Sequence, residues 1–330
     1  MPRRLVLLGS DEIALPAFAA ARALPDTEVV AVYTQPDRPA GRGQEVRPNP
    51  VAAWAKAAGL PLRQPEKLGP EDATQLAALG ADLGVVMAYG QLLKTDFLAA
   101  TRQGFVNFHG SLLPALRGAT PVEGALALGL AETGVSLQQV VLKLDAGPIH
   151  ASRSLRPSPG EARAALRARL GVVAGELANA ALPAILDGTS KPVPQDEALV
   201  TYARRLNRAD APLDFRQPAA MLGQRVLALE GWPGSTFEHR GVTIKVGAAR
   251  GEDSASSGAP GQILSADRSG VRVACGQGVL VLLQLQRPGG KMLPVGEFLA
   301  GFPLAVGETL ASAEMPAFVA TAPFPRAAKA

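Results

Sequence analysis

The sequence predicts an α/β chain, with a mostly parallel sheet covered by helices followed by a small all-β domain. Three observations predict it. Continuous apolar runs such as "RLVLLG" (4–9) and "DLGVVMAYG" (82–90) alternate with helical stretches through the first two hundred residues, the pattern of strands buried on both faces. That alternation stops near residue 187, in a stretch rich in proline and polar groups. Beyond it lie short apolar runs separated by Gly and Asp turns, as in a small antiparallel barrel or sandwich. A length of 330 residues is enough for two domains with separate cores.

The elements follow in order. Arg3 and Arg4 before the first apolar run imitate a leader. The run ends in Gly-Ser-Asp-Glu with no small-residue cleavage pattern, so it reads as a buried first strand. "IALPAFAAARAL" (13–24) reads as a helix, "EVVAVYT" (28–34) as a strand and "PVAAWAKAAG" (50–59) as a helix. "GFVNFH" (104–109) is a strand. "GVSLQQVVLKL" (134–144) and "GPIHASRSL" (147–155) read as strands joined by a tight turn, and 160–186 as a long helix. "TFEHR", "VTIKVGAA", "GQILSA", "GVRVACG" and "GVLVLLQLQ" supply the strands of the second domain. Residues 250–261 read as a mobile hairpin loop. The expected divisions are an α/β domain at 1–188, a basic linker with one short helix at 189–208, a barrel at 209–315 and a disordered tail at 316–330.

Composition narrows the function. Hydrophobic residues make up 47% and charged residues 19%, which is globular, and no apolar run is read as spanning a bilayer. The lone Cys275 excludes an internal disulfide framework and a cysteine zinc site, and makes the cytoplasm the expected compartment. Residues 1–203 hold 19 basic and 19 acidic side chains and residues 204–330 hold 14 and 10, so the net charge of +4 sits in the last third, where phosphate contacts would use it. The first strand is followed by one glycine where a dinucleotide site needs three. P-loop, HExxH and G-x-S-x-G motifs are absent. Hydride transfer and nucleotide hydrolysis are disfavoured.

The chemistry concentrates at "NFHGSLLP" (107–114). In a strand, residues i and i+2 share a face, so Asn107 and His109 project together while Val106 and Phe108 pack behind. An amide donor can stabilise an oxygen that turns negative. A histidine, with an ordinary pKa of roughly 6.5, can accept a proton near neutrality. The pair suits attack of an amine on a carbonyl. Asp145, in the turn "LDAGP", is the candidate to orient the imidazole and tune its charge. Taken singly, these residues read as a strand-end turn residue, a structural histidine and a turn former; only the combination points to catalysis. His150 and His239 read as structural or surface residues.

These motifs, with "RGATP" (117–121) and "LDAGPI" (144–149), resemble the folate-dependent formyltransferase superfamily over about residues 4–300. The segment "TQPDRPAGRGQEVRPNPV" (34–51) is similar to an inserted loop of the members that act on methionyl-tRNA, and "QPEKL", "VVMAYGQLL" and "QDEALVTYARRL" agree with it. The resemblance implies a Rossmann-like catalytic domain followed by an OB-like barrel, with no metal. The implied reaction moves the formyl group of 10-formyltetrahydrofolate to the α-amine of initiator methionyl-tRNA, on a monomer. It implies that Asn107 polarises the formyl oxygen, His109 works with it, and Asp145 orients His109 together with a water. The folate would be cradled by Met87, Ala88, Tyr89, Gly90, Leu92, Ser111, Leu112, Leu113, Pro114, Val141 and Leu144. The tRNA would meet Arg38 and Arg42 on the loop, Lys191, Arg204, Arg205 and Arg208 on the linker, and Arg287 and Lys291 on the barrel.

Ala115 and Leu116, where basic and aromatic residues are usual, and Gly124, where a larger residue is common, depart from the family pattern and bear on tRNA contacts at the rim. The competing readings are another formyltransferase or a formyl-folate hydrolase acting on a small molecule, and, in a different class, a non-catalytic RNA-binding protein that uses the barrel alone.

Overall fold

A computed structural model describes residues 1–40, 45–255 and 257–325. The chain forms two compact units: one comprises Met1–Gly118, Glu132–Arg156 and Arg167–Thr201, the other Ala119–Ala131, Pro157–Leu166 and Tyr202–Ala330. The division is not the single boundary expected at 188. Two short segments of the N-terminal half group with the second unit, and 189–201 is part of the first rather than a linker. Hydrogen bonds from this last stretch into the first unit, described below, are the reason.

In the first unit, strands β1 (Arg3–Leu8), β2 (Thr27–Tyr33), β5 (Leu62–Arg63), β6 (Leu83–Val86), β7 (Phe105–His109), β9 (Thr133–Gln139) and β10 (Ile149–Leu155) form one sheet, in the order β10-β9-β7-β6-β1-β2-β5. The five from β5 to β7 in that order run parallel, while β9 is antiparallel to β7 and β10 to β9. A short hairpin, β3 (Arg38–Ala40) with β4 (Glu45–Arg47), lies in the segment 34–51, and β8 is Arg117–Gly118. Helices α1 (Leu15–Ala23), α2 (Pro50–Ala57), α3 (Pro70–Ala78) and α4 (Thr95–Leu98) fill the connections. Their starts are written locally. Proline opens α2 and α3, where its missing N–H costs nothing. Asn49 Oδ1 accepts from the Ala52 amide at 3.0 Å, and the Asp72 carboxylate accepts from the Gly69 amide at 2.8 Å. One face of the sheet packs Val6, Leu8, Tyr33, Leu76, Phe97 and Phe105 into a single core.

Two strands stop earlier than the sequence suggested. β6 ends at Val86, and Ala88 and Gly90 take φ values of +51° and +85°, which no strand continues through. β9 ends at Gln139 because its partner β7 begins at Phe105; the Val140 amide makes the last contact, 2.7 Å to the Phe105 carbonyl. Residues 140–148 therefore form a loop, not a strand and a tight turn.

Helix α6 (Arg163–Leu186) has the length and apolar composition to cross a bilayer, contrary to the expectation from sequence. Half of its most apolar window is buried in the protein. Gly171 and Gly175 let it approach the start of α1 closely: a Cβ on Gly175 would lie 3.1 Å from the Pro16 carbonyl oxygen.

The second unit holds α5 (Pro121–Ala127), β11 (Tyr202–Ala203), α7 (Ala219–Ala228) and an antiparallel sheet. The sheet's strands are β12 (Ser235–His239), β13 (Val242–Glu252), β14 (Ile263–Asp267), β15 (Gly270–Ala274) and β16 (Val279–Gln286), in the order β12-β13-β16-β15-β14. β17 (Leu293–Pro294) pairs with β16 and leads into α8 (Val295–Gly301). Thr309 bridges Gln262 beside β14, and Ala311 bridges Glu238 in β12, so one passing segment links the two edges of the sheet as a barrel requires. Phe237, Ile244, Val271, Leu280, Leu282 and Phe298 fill its core. Cys275 sits there too, its thiol pushed up to about 11 by burial. The region read as a mobile hairpin loop begins inside β13, where Glu252 is paired to Arg250 and Arg272.

The tail is not disordered through residue 325. Its strand β18 (Val319–Ala320) pairs with β11, and Phe318 is buried against Leu206 and Leu229 with the Arg225 guanidinium 5.3 Å from its ring centroid. A composition dominated by Ala and Pro hid two apolar side chains that have a seat.

Gly84 marks how tightly the central strands are packed: a Cβ there would meet Phe105 Cδ1 at 2.0 Å. Gly84→Ala is expected to cost about 1–3 kcal/mol by overpacking and to lower Tm by about 2–4 °C for each kcal/mol lost. Thermal unfolding of the variant checks it; an unchanged Tm would contradict this packing.

Candidate active site

Strand β7 places Asn107 and His109 on one face, and Val106 and Phe108 are buried on the other. The Asn107 side chain is half-buried, and its amide has no hydrogen-bond partner among the described residues. The His109 ring is buried, and its Nε2 lies 2.8 Å from the Leu116 carbonyl oxygen. A carbonyl only accepts, so Nε2 carries the hydrogen. The neutral ring therefore presents a bare Nδ1, which lies 3.8 Å from Asp145 Oδ2. That separation is too long for a hydrogen bond and short enough for the carboxylate to stabilise a charged ring.

Both partners of the ring are held by main-chain geometry. Leu116 and Asp145 have φ values of +58° and +49°, conformations that side chains other than glycine rarely adopt. The turn before Leu116 is braced by hydroxyls. Ser111 Oγ donates to the Ala115 carbonyl at 2.6 Å; Ser136 Oγ accepts from the Leu113 amide and donates to the Ser111 carbonyl, both at 2.9 Å. The Asp145 carboxylate accepts from the Gly118 amide at 2.8 Å and from Gln138 Nε2 at 3.1 Å, which fixes both of its oxygens. Gly147 allows the loop to turn back onto β9, since a Cβ there would sit 1.7 Å from the Gln139 carbonyl oxygen.

The three residues expected from sequence thus lie within one unit, with His109 and Asp145 in ion-pair range. The direct orienting bond to His109 comes from Leu116, not from Asp145. Sequence reasoning missed the Leu116 carbonyl, the Gly118 amide and Gln138. The first two act through the backbone, so their side chains carry no signal. The departures at Ala115 and Leu116 leave these backbone acceptors intact. Gly124 lies buried in α5 of the other unit.

Of the residues expected around a folate, Met87, Tyr89, Ser111 and Leu113 are buried, and Leu112 and Pro114 are half-buried. Ala88, Gly90, Leu92, Val141 and Leu144 are exposed. The turn at 87–90 is fixed from below: the Ser10 amide donates to the Ala88 carbonyl at 3.1 Å, and Gln35 Nε2 donates to the Tyr89 carbonyl at 3.0 Å. Burial pushes the Tyr89 phenol well above its ordinary range. Leu92, Val141, Leu142 and Leu144 leave large apolar side chains in solvent, at 73%, 39%, 69% and 54% exposure. They lie in the turn that follows β6 and in the loop that follows β9. Leu142 was not anticipated.

The expected tRNA residues divide. Arg42 lies outside the described residues. Arg38 is exposed and paired to Glu66 at 2.6 Å. Lys191, Arg205, Arg208, Arg287 and Lys291 are exposed. Arg204 is a correction: its guanidinium is committed to the buried Asp210 at 2.5 and 3.0 Å and to the Ala317 carbonyl at 3.0 Å, so it serves the fold. His150 is half-buried between Ser190 Oγ and Gln139 Oε1, at 2.8 and 3.1 Å, and burial lowers its pKa. His239 Nε2 lies 3.1 Å from Glu308 in the second unit.

Comparison with known proteins gives the family and the fold. Residues 5–182 match the family described as Formyl transferase, and residues 205–303 match Formyl transferase, C-terminal domain. The methionyl-tRNA formyltransferase of Myxococcus xanthus (strain DK1622) is 42% identical over 305 residues, covering 92% of this chain and 96% of that protein. In fold, the chain is similar to the N-formyltransferase of Helicobacter canadensis solved with folinic acid and dTDP-3-aminofucose, with a TM-score of 0.65 at 13% identity over 87% of this chain and all of that one. It is also similar to a variant of HypX from Aquifex aeolicus, with a TM-score of 0.62 at 17% identity; the match spans 93% of this chain and about half, 49%, of that longer one. The chain belongs to the formyl transferase family.

Proposed function

We propose that this protein transfers the formyl group of 10-formyltetrahydrofolate to the α-amine of methionine carried on initiator tRNA. The observation that carries the chemistry is the division of labour on one ring. His109 Nε2 is spent on the Leu116 carbonyl and Nδ1 is left facing Asp145, on the same face of β7 as the unpartnered amide of Asn107. The substrate assignment is supported by likeness over nearly the whole chain to a relative named for that reaction.

The residues present fit a folate: exposed apolar side chains stand in the turn after β6 and the loop after β9, and the Asn107 amide, without a partner among the described residues, is a donor suited to a carbonyl oxygen. When bound, the folate supplies the formyl carbon. Asn107 donates to the formyl oxygen and stabilises the negative charge that develops on it as the amine attacks. His109 takes the amine proton at Nδ1, the only ring nitrogen with a free lone pair. Asp145, 3.8 Å away and fixed by Gly118 and Gln138, stabilises the imidazolium that results. The same Nδ1–H can then return the proton to the departing nitrogen. The nucleophile belongs to the substrate, which accounts for a site without an activated Ser or Cys; α-amines titrate at roughly 7.7–8.0, so part of the substrate is unprotonated near neutral pH. Arg38, Arg42 and Lys191, and Arg205, Arg208, Arg287 and Lys291 of the second unit, contact tRNA phosphates. The chain acts as a monomer in the cytoplasm.

Incubation with 10-formyltetrahydrofolate and either methionyl-tRNA or free amines tests the substrate. Formyl groups on the tRNA are the expected product; free formate or a formylated sugar alone would contradict it. Asn107→Ala is expected to lower kcat about 10²–10³-fold, and His109→Ala about 10²–10⁴-fold, with thermal unfolding little changed. Near-normal turnover by either variant would remove its assigned role. Binding of methionyl-tRNA is expected to weaken steeply between 50 and 200 mM salt, roughly in that range for phosphate contacts generally; a salt-independent Kd would exclude the basic side chains as the tRNA surface.

A further inference from the structure

We propose that the stretch from Gln195 to Thr201 is a positioning strap for the site, with Gln195 and Thr201 setting the placement of Asp145 and His109. This deepens the formyl-transfer reading and rests on it. By composition the stretch reads as linker. The structure ties it to the catalytic unit at two points, and each lies on the backbone of a residue in the left-handed region.

At one end, Gln195 Nε2 donates to the Asp145 carbonyl at 2.8 Å and to the Gly147 carbonyl at 2.7 Å. This grips the loop on both sides of Ala146 and holds Asp145 at its φ of +49°. The Gln195 amide is itself fixed: its Oε1 accepts from Arg117 Nε at 3.0 Å and Nη2 at 2.8 Å. Arg117 is fully buried, and Nη2 also reaches Glu197 Oε1 at 2.8 Å. Arg117 and Lys143 hold the Glu197 carboxyl down to about 2, so this anchor stays charged across the working pH range and is lost only as pH falls toward that value. At the other end, Thr201 Oγ1 accepts from the Leu116 amide at 2.8 Å, and the Thr201 carbonyl accepts from the Arg117 amide at 2.8 Å. Leu116, at φ +58°, carries the carbonyl that orients His109.

One short stretch therefore restrains the imidazole through Leu116 and the carboxylate through its loop. A left-handed Leu or Asp persists where its surroundings over-determine it; the strap supplies that restraint. Neither Gln195 nor Thr201 touches the reacting groups, so each is a positioning residue.

The test uses Gln195→Leu, Thr201→Val and Thr201→Ser in the full-length protein, with Gln195→Asn if the leucine variant does not fold. Two readouts are needed. Amide hydrogen exchange reads the strap without reference to activity: exchange is expected to quicken about tenfold or more, at Leu116 in Thr201→Val and across 140–148 in Gln195→Leu. Steady-state formylation of methionyl-tRNA is expected to show kcat down about 10–100-fold with both KM values little changed, and Thr201→Ser is expected to restore both readouts. Unchanged exchange, or faster exchange with normal kcat, would overturn the proposal, as would a rise in KM alone. A wild-type protein that does not formylate methionyl-tRNA would overturn the reaction assigned above, while the exchange data would still decide whether the strap restrains these two backbones.

Discussion

The site depends on one hydrogen bond, from His109 Nε2 to the Leu116 carbonyl. A neutral imidazole has one N–H and one lone pair. Committing the N–H to a buried carbonyl fixes the tautomer, the ring orientation and the identity of the nitrogen that can accept a proton. Everything else in the site is arranged around that choice. Nδ1 faces a carboxylate that is itself fixed at both oxygens. The turn that delivers the carbonyl is braced by Ser111, Ser136 and Thr201. The protein spends backbone conformation to obtain this: Ala88, Leu116 and Asp145, all at positive φ, lie in the three segments that border the site.

The division between working and supporting groups follows from chemistry. Asn107 is the polar side chain on this face whose amide has no partner among the described residues, and being half-buried it stays open to a ligand. Asp145 is the reverse case, fully engaged and so able to hold a charge near the ring without moving. The exposed leucines and valine of the 90–92 and 141–144 segments are likewise incomplete surfaces.

The sequence was most legible where side chains carry the information. The period-2 placement of Asn107 and His109, the buried strands and the second all-β unit follow from pattern alone. It was least legible where the backbone works. The Leu116 carbonyl and the Gly118 amide are common to any residue at those positions, and no composition flags them. Strand β9 ended early because its neighbour had run out, a constraint of the sheet and not of "VVLKL". Phe318 and Val319 were lost in an Ala/Pro background although one buried and one half-buried side chain suffice to seat the segment. Arg204 illustrates the opposite error: a basic residue in a basic stretch reads as a phosphate contact, whereas Asp210 had already claimed it.

The most direct measurement is the nitrogen-15 spectrum of the His109 ring, assigned by difference against His109→Gln in a chain with three histidines. The account predicts that the neutral ring carries its hydrogen on Nε2, with Nδ1 bare until it takes a proton. A neutral ring protonated on Nδ1, with Nε2 bare, would contradict the assignment of the working nitrogen and the mechanism built on it.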